Sequence, residues 1–349
     1  MIRLSKETLA AAVMAALLSP IAACSAIAEG VVNIYSYREP ALMKPLLSAF
    51  TAKTGIRTSL IFGRDGLSER LAAEGANSPA DVLLTVDIGR LADAKGMGLA
   101  QPVTSPAVLA AVPQAYRDAD GHWIGLSQRA RVVFASKARV AQDVITYEQL
   151  ADPKWKGKIC MRSGQHAYNV GLLASIIAHN GPEKAEAWTR GLKANLARKP
   201  AGGDRDQAKA IFSGECDLAV ANTYYMAAMQ QTAPGHEQQQ WAAAIKLLFP
   251  NAGDRGTHVD ISGVVLAKHA PNRGNGLALI EFLVSEEGQR LYAESVNEYP
   301  LRPGVAASPL VAGWGALKPD GVPLDRLAQL RKAASEMMDR VGFDAGPGN

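Results

Sequence analysis

Histidine and cysteine are scarce in this chain: six and three among 349 residues, with no C-x-x-C and no H-E-x-x-H. Without such clusters a zinc centre has no ligand set. The G-x-S-x-G nucleophile elbow and the phosphate-cradling G-x-x-x-x-G-K are also absent, as is an acidic calcium loop. An enzymatic role therefore has no anchor in the residues, and the chain reads as a non-enzyme. No block of basic residues interleaves with aromatics, so nucleic acid is a poor partner. Beyond the N-terminus no stretch could cross a bilayer, and no repeat of solenoid length occurs.

What is there is ordinary globular composition, 48% hydrophobic and 20% charged, with length for one large domain or two medium ones. The net charge is +4. Arg3, Lys6 and Glu7 account for +1 of that, leaving a weak basic bias that would help to attract an anionic chelate. Two basic residues, the apolar run Leu9 to Leu18 and the closing Ala26-Ile27-Ala28 form a secretory signal peptide. Residues 1–28 are expected to be removed, which places the mature chain in the periplasm. Ile21-Ala22-Ala23-Cys24 loosely resembles a lipoprotein cleavage site, and a lipid anchor on Cys24 is the alternative. Cys160 and Cys216 remain, and two cysteines in an exported chain suggest one disulfide. Two buried free thiols are the other reading. Such a bridge would stabilise the fold by roughly 4–5 kcal/mol in the chain-entropy model.

Along the chain, short apolar strands alternate with amphipathic helices. Strands are expected at Val31–Tyr35, Arg57–Phe62 and Asp81–Val86. Helices are expected from Pro40 to Gly55 and from Gly66 to Glu74. Ile124–Ser136 reads as one long strand that could cross between two lobes. Further strands are expected at Lys158–Arg162, Leu218–Ala221, Ile245–Phe249 and Ile261–Lys268, followed by two helices and then the segment Glu298–Pro303. Helices are expected on both sides of the Asn180-Gly181-Pro182 break, at Asp204–Phe212, at Thr223–Gln231 and at Leu324–Val341. The pattern implies two α/β lobes, each a mostly parallel sheet flanked by helices. The lobe bounds are 29–128 with 254–304, and 129–253 with 305–349. Ligands of such folds sit at strand-to-helix junctions.

Three tyrosines stand at such junctions. Tyr168 opens one helix, and Tyr224 with Tyr225 opens another directly after a strand. Helix N-termini favour phenolate over phenol. A tyrosine normally titrates near pH 10, so converging several makes sense if a hard, highly charged cation takes the protons' place. Ferric iron fits that requirement. Packing or carbohydrate-style stacking by the Tyr-Tyr pair is the plainer reading, and the residues alone leave both open.

The motifs Asn33-Ile34-Tyr35-Ser36-Tyr37-Arg38, Pro79-Ala80-Asp81-Val82-Leu83-Leu84-Thr85, Gly125 to Val132, Asn195 to Pro200, Gly202 to Gln207 and Asn222-Thr223-Tyr224-Tyr225 together are specific. From about Val31 to its end the chain resembles the periplasmic ferric-ion-binding proteins of iron ABC importers. The resemblance implies a type II periplasmic binding protein, two lobes on a hinge closing on Fe³⁺, with Tyr168, Tyr224 and Tyr225 as ligands. It also implies a membrane permease as partner, a monomer, and a Cys160–Cys216 bridge as in some members. Many members place a histidine just after the first strand, where this chain has Glu39-Pro40. The first lobe is then expected to give no protein ligand, or Glu39 or Tyr37. A small anion such as carbonate would fill the gap, with water as the alternative. Arg129, then Arg38, then Arg131 are the expected anion seats, since a guanidinium forks onto a carboxylate-like anion. Asp87 reads as a helix cap more than a cleft residue, and His166 as a solvated loop histidine. The competing reading within the fold is a receptor for a polyamine or thiamine, which the arginines oppose. The same residues leave Fe²⁺ in vivo open.

Overall fold

Pro40 in its first turn and Gly55 at its end frame the first helix, whose buried Met43, Leu46, Leu47 and Phe50 share one face. Gly55 lies at φ 75° and donates to the Thr51 carbonyl, the left-handed stop that glycine allows. This helix, α1 (Pro40–Thr54), connects β1 (Val31–Ser36) to β2 (Arg57–Phe62). A computed structural model describes residues 30–348 of the chain. The expected signal peptide and the Cys24 anchor lie outside the described residues.

After β2 come α2 (Leu67–Glu74), β3 (Val82–Thr85), α3 (Ile88–Gly96), β4 (Ala100–Gln101), α4 (Pro106–Ala111) and β5 (Ile124–Ser136). Next are β6 (Ile159–Cys160), α5 (Ala167–Ala194), α6 (Asp204–Ser213), β7 (Leu218–Asn222), α7 (Thr223–Gln230), α8 (Glu237–Ala243) and β8 (Ile245–Leu248). The chain ends with β9 (Val259–Ala267), α9 (Arg273–Val284), α10 (Glu286–Val296), β10 (Tyr299–Pro300), α11 (Pro309–Ala312) and α12 (Leu324–Val341).

The strand order is β2-β1-β3-β9-β5-β7-β6, with β4 on β9 and both β8 and β10 on β5. The long β5 is the seam. Its residues Ile124 to Ala130 pair with β9, and Arg131 to Ala135 pair with β7. One strand thus belongs to two sheets. The sheets are mixed rather than mostly parallel. β1 is parallel to β2 and β3, and β6 to β7, while every pairing made by β5 and β9 is antiparallel. The expectation fails there because β5 and β9 run against all their neighbours and are not members of a strand-helix-strand unit.

Burial follows the same division. One apolar cluster packs α1, α9 and α10 on β1, β3 and β9. Another packs α6, α7 and α8 on β5 and β7. A third is shared: Leu91 and Ala94 of α3, Leu172, Leu173 and Ile176 of α5, and Leu327, Ala334 and Met338 of α12. Helix α12 therefore touches both halves. Gly181, at φ 78°, breaks α5 where Pro182 removes an amide donor. The strand expected at Lys158–Arg162 shrinks to Ile159–Cys160, and within Glu298–Pro303 the strand is only Tyr299–Pro300. Pro300 and Pro303 cannot donate to a ladder, which limits the second. Cys160 and Cys216 are bonded, with Cα atoms 5.9 Å apart. Cys160 ends β6 and Cys216 precedes the parallel neighbour β7, so the bridge pins two adjacent strands.

Candidate functional site

Each of the three tyrosines enters the site from the first turn of a helix. Tyr168 is the second residue of α5, and Tyr224 and Tyr225 are the second and third of α7. Because β7 runs straight into α7, both rings are carried to the end of the sheet. The Tyr168 and Tyr224 hydroxyls are 3.3 Å apart, and the Tyr224 and Tyr225 rings lie 4.1 Å apart, tilted by 30°. All three line a cleft of about 1090 Å³, along with Arg38 and Glu39 from one side and Arg162 and Arg205 from the other.

Guanidinium groups surround these rings. Arg129 lies 4.9 Å from the Tyr168 centroid, Arg162 5.3 Å and Arg131 5.7 Å. Arg38 is 5.7 Å from Tyr224, and Arg205 is 5.3 Å from Tyr225. Positive charge beside a phenol favours its anion. Burial works the other way and wins. It raises the Tyr224 hydroxyl well above the usual tyrosine range, and repulsion from Tyr168 and Tyr225 adds to this despite Arg38 and Arg129. Tyr225 is pushed up to about 12 by burial, then by Tyr168 and Asp204. Without a bound cation Tyr224 and Tyr225 are neutral phenols.

The arginines differ in how they are held. Arg38 donates through Nη2 to Glu298 Oε1 at 2.7 Å and to the Ser262 hydroxyl. Glu298 Oε2 accepts from Ser127 at 2.5 Å and from Ser262 at 2.8 Å. Burial alone would raise the Glu298 carboxyl, but Arg38 and Arg129 hold it below the usual range. Arg129 donates to Ser262 at 3.3 Å and to the Val86 carbonyl, with Asp260 at 3.7 Å. The Nε atoms of Arg38, Arg129, Arg131, Arg162 and Arg205 are buried with no hydrogen-bond partner among the described residues. Arg131 is committed elsewhere. It donates to Asp204 at 2.6 Å, Asn169 at 2.8 Å and Asn222 at 3.3 Å, and like Arg129 it does not line the cleft. Sharing a strand face with Arg129 does not make it a seat for an anion, because a buried aspartate takes its charge.

Tyr37 lines the cleft, but its hydroxyl accepts from the Ser68 amide at 2.8 Å and so caps α2, under Arg90 at 4.1 Å. Glu39 is exposed at the cleft lip. Asp87 caps α3 by accepting from the Arg90 amide at 3.0 Å. His166 is no solvated loop residue. It is the N-cap of α5, and its Nδ1 accepts from the Tyr168 amide at 3.2 Å. Burial, then Arg162 and Arg131, push the His166 imidazole down to about 3, so it is neutral as the cap requires. Sequence reasoning missed Asp204, Glu298, Ser262, Arg162 and Arg205. Arg205 and Asp204 sit in the Gly202–Gln207 motif but carried no local signature of a role.

These features define a type II solute-binding architecture with an oxygen-rich, arginine-ringed cleft. Residues 46–319 match the family model for bacterial extracellular solute-binding proteins, and the chain belongs to that family, whose members are binding proteins rather than enzymes. It is similar to iron uptake protein A1 of Synechocystis sp., at 44% identity over 314 residues, 89% of this chain and 87% of that one. The apo ferric ion-binding protein A of Pasteurella haemolytica superposes with a TM-score of 0.86 at 47% identity, covering 90% of this chain and 98% of that one. A Trichodesmium protein in complex with iron and citrate superposes at 0.85 with 41% identity, covering 90% and 100%.

Proposed function

We propose that the chain binds ferric iron in the periplasm and delivers it to the permease of an ABC importer, with Tyr168, Tyr224 and Tyr225 as the protein ligands. The observation that carries this reading is the convergence of three tyrosines, two with hydroxyls 3.3 Å apart, beneath a ring of guanidinium groups. A site for a divalent metal would use histidine, cysteine or carboxylates. A trivalent cation can displace the phenol protons that burial otherwise holds in place. The relatives named for iron uptake and ferric-ion binding support the same cargo.

A small anion completes the coordination. Its seat is Arg38, which lines the cleft beside the Tyr224 ring, with Arg129, which lies beside the Tyr168 ring and whose nearest carboxylate is 3.7 Å away. Carbonate and a carboxylate such as citrate both match the guanidinium fork. Arg131 is left out of the seat, and neither Tyr37 nor Glu39 is assigned as a ligand. The protein works as a monomer in two lobes, 29–128 with 254–304 and 129–253 with 305–349. The change of pairing partner at Ala130 and Arg131 supports that division. Iron meets the tyrosines first, the anion follows, and closure presents the shape that the permease reads. A polyamine or thiamine would meet arginines where it needs carboxylates.

The test is a visible spectrum of the mature protein titrated with ferric citrate, with and without bicarbonate, in weakly buffered solution. A broad charge-transfer band saturating at one iron per chain, with proton release, is expected. Dependence of the band on bicarbonate assigns the anion. A folded protein that shows no band refutes the tyrosinate site.

A further inference from the structure

We propose that Arg331 is a positioning residue that ties the two lobes together and sets the stance of Tyr168, a role that rests on the iron-binding reading above. Arg331 lies on α12, the helix that packs on both α5 and α3. Its Nη1 lies 3.5 Å from Asp87 Oδ1 and donates, also at 3.5 Å, to the Ala167 carbonyl. Asp87 is the cap of α3, in the first lobe. Ala167 opens α5, in the second lobe, and is the residue before Tyr168. One guanidinium thus bridges the end of β3 and the start of the helix that presents a ligand. It also lines the cleft.

Gly89 makes room for it. A Cβ built on this second residue of α3 would overlap the Arg331 guanidinium. The glycine is needed for this close approach and not for a special backbone angle, since its φ is not in the left-handed region. Asp87 is fully buried while the Arg331 side chain is 20% exposed, so the pair is less screened than a surface ion pair. Both Arg331 contacts are at the long end of hydrogen-bond range, so both are sensitive to small shifts between α3 and α5. Closure would then pull on Ala167 and on the adjacent ligand, and loss of the clasp would let the lobes part around bound iron.

Gly89→Ala separates this role from fold stability. Alanine favours helix over glycine by about 1 kcal/mol, which offsets the ion pair that is lost, so its unfolding midpoint should stay near that of the parent. The new methyl nevertheless displaces Arg331. Parent, Gly89→Ala, Arg331→Met and the double variant are loaded with ferric citrate, and iron loss to excess EDTA is followed by the tyrosinate band. Each single variant should release iron roughly fivefold faster than the parent, about the effect of a partly screened ion pair. The double variant should be no faster than either single one, because both remove the same contact. The band at saturation should shift in both singles, and Arg331→Lys should restore part of the slow release. Parent-like release from Gly89→Ala overturns the proposal, even if Arg331→Met does not fold. A parent protein with no band overturns the iron reading itself, and this proposal with it.

Discussion

Replacing Asp204 with asparagine tests how α5 and α7, the helices that carry the three tyrosines, are held. The Asp204 carboxylate is fully buried at the start of α6. It accepts from Arg131 at 2.6 Å, from Arg162 at 3.2 Å and from the Asn222 amide at 2.8 Å. Burial alone would raise its pKa, but the two guanidinium groups overcome that and lower it. Asparagine keeps the shape and removes the charge. A unit charge pair about 4 Å apart is worth roughly 4 kcal/mol at an effective dielectric constant near 20. Removing one partner of a buried pair typically costs about 3–5 kcal/mol, because the other charge is left uncompensated. Native domains have only about 5–15 kcal/mol in total. Asp204→Asn should therefore lower the urea midpoint by the equivalent of roughly 3 kcal/mol, with an unchanged m-value. Asp204→Asn/Arg131→Met should recover part of this loss, since the orphaned guanidinium is gone. Iron loading should persist, because Asp204 opposes ionisation of Tyr225. A loss below about 1 kcal/mol, or a double variant whose losses simply add, would refute the buried-counterion argument.

Tyr168→Phe should fold with near-parental stability yet weaken ferric iron by at least roughly 100-fold in competition with citrate, since losing even an outer partner of a metal ligand costs about 10–100-fold. Parental affinity would remove Tyr168 from the site. Cys160→Ser/Cys216→Ser opens a loop with a sequence separation of 56 and should cost about 4 kcal/mol, read as a shift in urea midpoint. His258, only 2% exposed, is lowered to about 4, by burial first and by Arg131 and Arg129 against Asp320. In the unfolded chain it titrates near 6.5, so the native state binds fewer protons there. Stability present above that value should fall between about pH 6.5 and 4, by up to about 1.4 kcal/mol per pH unit for this group. The urea midpoint of His258→Gln should change less over that interval than the parent's.

Local order was legible in the sequence where periodicity and stop signals agreed. The bounds of β2, β5 and α12 agree with the expectation from pattern, and the break in α5 falls at Gly181 where a positive φ is required. The placement of the three tyrosines at helix starts was legible because all three follow strand-to-helix junctions. The seats of the arginines were not. Arg129 and Arg131 are two apart on one strand, which places them on one face but does not say which carries a buried counterion. Asp204 is far from Arg131 in the chain and meets it only through the return of β7 beside β5. His166 looked like a loop residue because a helix cap made by imidazole has no strong local signature.

The sequence by itself determined the elements, the export-type N-terminal pattern, the cysteine pair and the three tyrosines. These rest on short-range causes: side-chain periodicity, glycine and proline stops, and residue chemistry. Only tertiary structure decided the mixed sheets, the commitment of Arg131 to Asp204, the holding of Arg38 by Glu298, and the room that Gly89 leaves for Arg331. Each of these depends on groups distant in the chain meeting in a buried place. There, desolvation makes the choice of partner matter by several kcal/mol.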